Sequence, residues 1–449
     1  MRRLLVLALW LASACGAPTP TPSRPGPPLA AARVAPVPAS EPSWFHDDAE
    51  AAFAAARARK QLLFVDLWAP WCHTCLSMQQ HVLKPRALPE LEQVVALAID
   101  TERAENEAFL REFPVAVWPT FYVIEPASRA VRGRWLGGAT AAQLGRFLRD
   151  AGSANDAPTL LLREGDALAA SKRFGDAAER YRAALAAAPA DWPRRADALV
   201  ALSASLRKER RFAECLSLAL AEAGALPPSV AAVDFASTAA SCAAQAPDDP
   251  NTKAVLALLE RSLARDCDTA APGVSVDDQA DACGNLRGVR QALGDRDGAR
   301  RASERALSVI EAGSAGAAPE AQAIYDWERT QSLVFLGRTA EALALLAERE
   351  RALPQSYNPP HYQARLHRDA GQWELGLAAI ERALSKAYGP RRIGFLGIKA
   401  DLLKGAGRLE EARAVLQQQL DAYRALPPGQ QLPDAEAAVQ KKLDALPGR

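Results

Sequence analysis

The chain has almost no net charge: 54 Lys and Arg against 53 Asp and Glu leave +1 over 449 residues. No basic patch follows from that balance and no acidic tail appears, so nucleic acid is excluded as a partner. The sequence lacks any apolar run long enough to cross a bilayer as a mature helix. Metal-ligand spacing is missing as well. Cys72 and Cys75 have only His81 as a nearby candidate ligand, and covalent haem would need a His where Leu76 stands. No metal and no cofactor is expected, other than a disulfide between those two thiols. Wholesale disorder is also excluded, because hydrophobic residues make up 49% of the chain.

What is present divides the chain into segments. Met1-Arg2-Arg3 is a basic start, Leu4 to Leu11 an unbroken apolar core, and Ala12-Ser13-Ala14 leads to Cys15. That core is too short for a mature span and suits a cleaved export signal over residues 1–14. Small residues ending at a Cys resemble a bacterial lipoprotein signal, which implies acylation of Cys15, an anchor in the cell envelope or periplasm, and a compartment where disulfides persist. Residues 16–42 hold nine prolines. Without N–H donors or apolar periodicity they cannot form a core, and with Cys15 they read as an anchored linker over 15–42.

The next segment, 43–152, alternates helices and strands. Asp47 to Arg59 is Ala-rich with an acidic first turn and a basic last turn, a helix. Leu62 to Leu67 is a buried strand interrupted by one acid, Asp66. A helix opens at Cys72-His73-Thr74-Cys75 and stops near Lys84-Pro85. Val94–Ile99 is a second strand, Glu105–Phe113 a helix, Trp118–Ile124 and Val131–Leu136 strands, and Ala141–Arg149 a closing helix. Parallel strands alternating with helices predict an α/β fold. At the helix start, backbone N–H donors and the macrodipole stabilise a thiolate on Cys72, while Cys75, one turn in, is more buried. An acid inside an apolar strand is costly unless it has a task.

From Trp44 to Asp150 this pattern resembles the thioredoxin superfamily, in which a strand with a buried Asp leads into Trp-Cys-x-x-Cys. The resemblance implies that Cys72 attacks from an exposed turn, Cys75 resolves, Asp66 handles the proton of the second thiol, and Pro119 is a cis-proline beside the disulfide. Trp71 and Trp118 would form the substrate rim, with His73 and Thr74 modulating the thiolate. The lysine that accompanies the buried acid in thioredoxin is replaced by Ala96. His73-Thr74 stands between the cysteines, whereas disulfide isomerases carry His directly before the second Cys. The early helix and the Trp-Cys-x-x-Cys are also similar to the C-terminal domain of periplasmic electron-relay reductases, which implies a reductase.

Residues 156–449 have no convincing strand and are periodic. Gly165, Phe174, Ala177, Tyr181 and Ala184-Leu185 resemble the tetratricopeptide repeat. Gly337, Gly371 and Gly407 recur at 34 and 36 residues with Ala342, Gly376 and Ala412 behind them. Such arrays stack helix pairs that bury their apolar faces only against neighbours, the recurring small residues allowing close approach. The stretch between Cys215 and Ala299 reads as degenerate or as an insertion. Cys215, Cys242, Cys267 and Cys283 allow three pairings, with at least one bridge expected in an exported chain. His46, His361 and His367 read as surface or capping residues. The expectation is an exported thiol–disulfide oxidoreductase: an α/β thioredoxin-like domain followed by an all-α tetratricopeptide-like solenoid that binds a protein partner or protein disulfide substrates. The alternative is a repeat-based adaptor with an ancillary redox module.

Overall fold

A computed structural model of the chain describes residues 44–153, 156–427, 430 and 432–446. The signal-like segment, Cys15 and the proline-rich stretch lie outside the described residues. Among those described, no helix is long and apolar enough to cross a membrane.

The first part is a sheet between helices: β1 (Phe45–His46), α1 (Ala49–Arg59), β2 (Leu62–Trp68), α2 (His73–His81), β3 (Val94–Asp100), α3 (Glu107–Glu112), β4 (Thr120–Ile124), β5 (Val131–Leu136) and α4 (Ala141–Ser153). Strand order is β1-β3-β2-β4-β5. β1, β2 and β3 run parallel, whereas β4 is antiparallel to β2 and β5 to β4. The sheet is therefore mixed where the alternation predicted parallel strands. The short α3 gives the reason. Six residues of helix advance only about 9 Å, too little to carry the chain back along a strand of roughly 23 Å. The chain turns at Trp118-Pro119 instead and re-enters the sheet at the end where β2 and β3 finish.

Period-two alternation along β2 fills both faces. Leu63, Val65 and Leu67 pack with Phe53, Phe109 and Phe113 below α1 and α3. Phe64 packs with Met78, Phe121 and Phe147 below α2 and α4. Asp66 falls in the register of Phe64, so its carboxyl is directed into the α2 face.

The second part is helical throughout: α5 (Ala157–Ala170), α6 (Phe174–Ala187), α7 (Arg195–Lys208), α8 (Phe212–Glu222), α9 (Val230–Gln245), α10 (Thr252–Asp268), α11 (Val276–Ala292), α12 (Arg296–Ser314), α13 (Pro319–Ala323), α14 (Asp326–Phe335), α15 (Thr339–Ala352), α16 (Asn358–Asp369), α17 (Trp373–Leu384), α18 (Gly389–Gly405), α19 (Leu409–Arg424) and α20 (Pro433–Asp444). Successive helices pack as hairpins that stack on one another, a tetratricopeptide-like solenoid. Gly294, Gly337, Gly371 and Gly407 sit in the turns within hairpins with φ between 69° and 80°. Their recurrence thus reflects a left-handed backbone more than close approach. Close approach belongs to Gly165 and Gly376, where a Cβ would come within 2.5 Å of Tyr181 and 2.3 Å of Leu402. The stretch after Cys215, read as degenerate, contains regular long helices, α9 to α11. His361, read as surface, is buried and stacks on Phe395 with centroids 4.4 Å apart; its position on α16 faces α18.

The solenoid starts on the sheet edge. α5 packs on β5, Asp166 accepts from the Arg134 amide at 2.9 Å, and Tyr181 donates to Asp166 at 3.0 Å. An edge strand that would otherwise offer unpaired amides is covered. Cys215–Cys242 joins α8 to α9, and Cys267–Cys283 joins α10 to α11. Closing a span of 16 residues stabilises by about 3 kcal/mol in the chain-entropy account. Cys267→Ala with Cys283→Ala is expected to lower the unfolding free energy by about that amount, read from urea denaturation of the oxidised protein.

Candidate redox site

The site is assembled where β2, β3 and β4 meet at one end of the sheet. β2 ends at Trp68, the loop Ala69-Pro70-Trp71 turns the chain, and Cys72 is the N-cap of α2. Its sulfur accepts from the Cys75 amide at 3.0 Å, the usual job of a capping oxygen. Cys72 and Cys75 are joined as a disulfide with Cα atoms 5.2 Å apart. Ala69 and the two cysteines form a small apolar nucleus against Trp68, Trp71 and Trp118. The Trp118–Pro119 bond is cis, and the Trp71 and Trp118 rings pack at 5.1 Å between centroids. Trp71 donates to Glu102 at 2.8 Å, and Trp118 to Thr101 at 2.9 Å. The helix start, both tryptophans and the proline are therefore brought together.

Asp66 lies behind, 1% exposed. Gln79 of α2 donates to one carboxylate oxygen at 3.0 Å, and the other has no protein partner. Burial, only partly offset by the Gln79 bond, pushes its pKa up to about 7. The carboxyl lines a cavity of about 290 Å³ with Trp44, His46, Trp68 and Lys84, room enough for water to reach it. A carboxyl titrating near neutrality is suited to moving a proton.

One expectation fails. The resemblance implies Cys72 on an exposed turn, yet it is 4% exposed and Cys75 0%. The solenoid lies over them. Asn358 donates to the Pro70 carbonyl at 3.0 Å, and Ser77 and Ser275 share a hydrogen bond at 3.3 Å. Tyr388 donates to Asp100 at 2.6 Å, and the Arg391 amide to Glu102 at 2.5 Å. The Arg391 guanidinium sits 4.9 Å from the Trp71 ring centroid. The Gly138 amide donates to Asp234 at 3.1 Å. Leu76 packs with Ala280, Ile310, Ile324 and Tyr325. Thr74, between the cysteines, is half-buried and lies beside Gly138.

His73 faces a carboxylate from each of its ring nitrogens. Its Nδ1 lies 3.1 Å from Asp277 and its Nε2 3.8 Å from Asp281, both on α11. Burial pulls its pKa down, but the fields of Asp281 and Asp277, the Asp277 hydrogen bond and the field of Glu328 outweigh it and hold the ring up at about 10. Asp278 is pushed up to about 6 and Asp234 to about 8, in both cases chiefly by burial. Donor atoms of His73, Asp277 and Asp281 lie within 4.8 Å of one another, a spacing that fits a cation. The same arrangement, a carboxylate facing each ring nitrogen, also suits a protonated imidazole, which donates from both.

Gln79, Asp277 and Asp281 were not among the residues singled out from the sequence. The Ser275-Val-Asp-Asp run is legible as a capping box, which it forms, but nothing in it points to a histidine 204 residues away.

Among families, the thioredoxin-like model matches residues 44–126. No curated protein matches the chain. Among solved structures, a tetratricopeptide repeat protein from Parabacteroides merdae is similar at 12% identity and a TM-score of 0.43, covering 64% of this chain and 97% of that one. The match at residues 44–126 thus puts a thioredoxin-like segment ahead of the stacked helical hairpins.

Proposed function

We propose that this protein is an exported thiol–disulfide oxidoreductase, anchored through an acylated Cys15, that reduces disulfides of protein clients bound with the help of its repeats. The observation that carries the reading is the joined pair Cys72–Cys75 at the start of α2, with cis-Pro119 beside it and Asp66 behind. In the reduced enzyme the Cys72 thiolate attacks a client disulfide, forming one S–S bond to the client and expelling the client's other sulfur as a thiolate, which takes a proton. Cys75 gives its proton to Asp66 and attacks Sγ of Cys72. The client leaves with both sulfurs reduced, and Cys72–Cys75 reforms. Two electrons pass to the client, and an external dithiol restores them.

The repeat cover has to lift for a protein client to reach Cys72. Its contacts to the cysteine loop combine hydrogen bonds with the packing of Trp71 and Leu76 against the repeats, and they have to be released together. The test uses the full chain with Cys75→Ser, reduced and exposed to cell-envelope proteins. Mixed disulfides through Cys72 are expected, and none with Cys72→Ser added. A second reading, a repeat adaptor carrying a redox-inert module, is favoured by the burial of Cys72. It gains if neither proteins nor a small disulfide form adducts.

A further inference from the structure

We infer that Asp277 and Asp281 are positioning residues of the redox site, supplied by the repeat region, which act through His73 to keep the Cys72–Cys75 pair strongly reducing. The inference rests on the redox reading above and adds to it which part of the chain sets the potential.

Around Cys72, α2 brings His73, β2 brings the buried Asp66 behind the pair, and Glu102, which accepts from Trp71, is matched by the Arg391 amide and guanidinium. α11 brings Asp277, Asp278 and Asp281, and α14 brings Glu328, which is matched by Arg287 of α11. His73 has a carboxylate at each ring nitrogen, at 3.1 and 3.8 Å, so its positive charge is directed to α11 and spent there. Left alone beside Cys72, an imidazolium would favour the thiolate and make the pair an oxidant. Held between two acids, the ring contributes little of that field; burial pushes the Asp281 carboxyl up while the ring's charge pulls it down, and acid charge beyond the ring's one opposes a new negative charge. Reduction consumes two electrons and one proton to give a Cys72 thiolate and a Cys75 thiol, so it places that charge there. The disulfide form adds none. The covered state therefore favours the disulfide, and by linkage the disulfide favours the cover.

The sign of each substitution follows. Asp277→Asn or Asp281→Asn removes negative charge and stabilises the thiolate, shifting the equilibrium towards reduced protein. His73→Gln removes the positive charge and leaves the acids unmatched, shifting it the other way. A role limited to holding the cover down would move all three in one direction, because each loosens the same interface.

The experiment equilibrates full-length protein with reduced and oxidised dithiothreitol at pH 7. The Cys72–Cys75 state is read by mass after alkylation, with circular dichroism confirming the fold. The double variant Asp277→Asn Asp281→Asn is expected to shift the equilibrium constant about tenfold towards reduced, which is about 30 mV. His73→Gln is expected to shift it severalfold towards oxidised. Independently, the His73 ring should titrate far above the ordinary histidine range in the wild type and fall back towards about 6.5 in the double variant. Shifts of one sign in all variants, or no shift, overturn the inference while leaving the redox reading intact. A wild-type pair that dithiothreitol never reduces overturns both.

Discussion

With alanine in place of Gly389, the reduced protein is expected to lose protection of Cys72 against alkylation by about 30- to 100-fold, corresponding to roughly 2–3 kcal/mol of lost docking. Gly389 opens α18 with φ at 59°, and a Cβ there would lie 1.9 Å from the carbonyl oxygen of Glu102 and 2.7 Å from its carbon. The obstacle is backbone, so no side chain can swing aside. α18 must retreat from the loop after β3, and several contacts go together: Tyr388 to Asp100, the Arg391 amide to Glu102, and the Arg391 guanidinium over Trp71. Trp71, which itself donates to Glu102, is then held from one side only. Left-handed strain alone costs about 1–2 kcal/mol, and Gly407→Ala isolates that term. Gly407 has a φ of 77° with nothing within 4 Å of its would-be Cβ. Alkylation of Cys72 in Gly407→Ala should match the wild type. Equal rates in both variants would mean that α18 is not part of the cover.

That cover is also where sequence reading stops. The cysteine pair, the buried acid on β2, the proline at the head of β4 and the tryptophan rim are legible because each is fixed by neighbours within one strand-turn-helix unit. Local chemistry specifies them: an N-cap position, a period-two register, a proline that cannot donate. The bounds of β5 and α2 are legible for the same reason. His73 is different. Read locally, it is a charge free to act on Cys72, whereas its partners arrive from α11 after many intervening helices. Nothing in a helix pattern states which hairpin will lie over which loop. The exposure of Cys72 escapes the sequence for the same reason, since a turn at a helix start is exposed only until another part of the chain packs on it. Among the four remaining cysteines the sequence leaves the pairing open because it depends on which helices neighbour one another, and a stretch that reads as degenerate or as an insertion hides the regular helices α9 to α11.

Asp66→Asn is expected to stabilise the oxidised protein at pH 8 while slowing its turnover, two effects with one cause. In the unfolded chain the carboxyl titrates near its ordinary value of 3.8, and in the fold at about 7. The folded state thus binds the proton more tightly. Stability from this group is complete below pH 4, declines as pH rises towards 7, and above that carries the full penalty of ionising a buried acid. The difference amounts to about 4 kcal/mol. Asn has no charge to bury and can still accept from Gln79. Its NH2 replaces an oxygen that has no protein partner, which returns roughly 1–3 kcal/mol of the gain. Urea unfolding should therefore show the variant more stable by about 1–3 kcal/mol at pH 8, and less stable than the wild type by about that amount near pH 4, where only the cost of the unpaired NH2 is left. Exchange should slow by about 100-fold, the usual loss when a positioned proton acceptor is removed, because Cys75 then has no base in its interior position. The fall should be confined to the resolving step, so that mixed disulfides with clients accumulate in the variant. A variant whose stability differs from the wild type by the same amount at every pH would show that Asp66 titrates alike in the folded and unfolded chain, so that burial does not raise it into the range needed for the proton transfer.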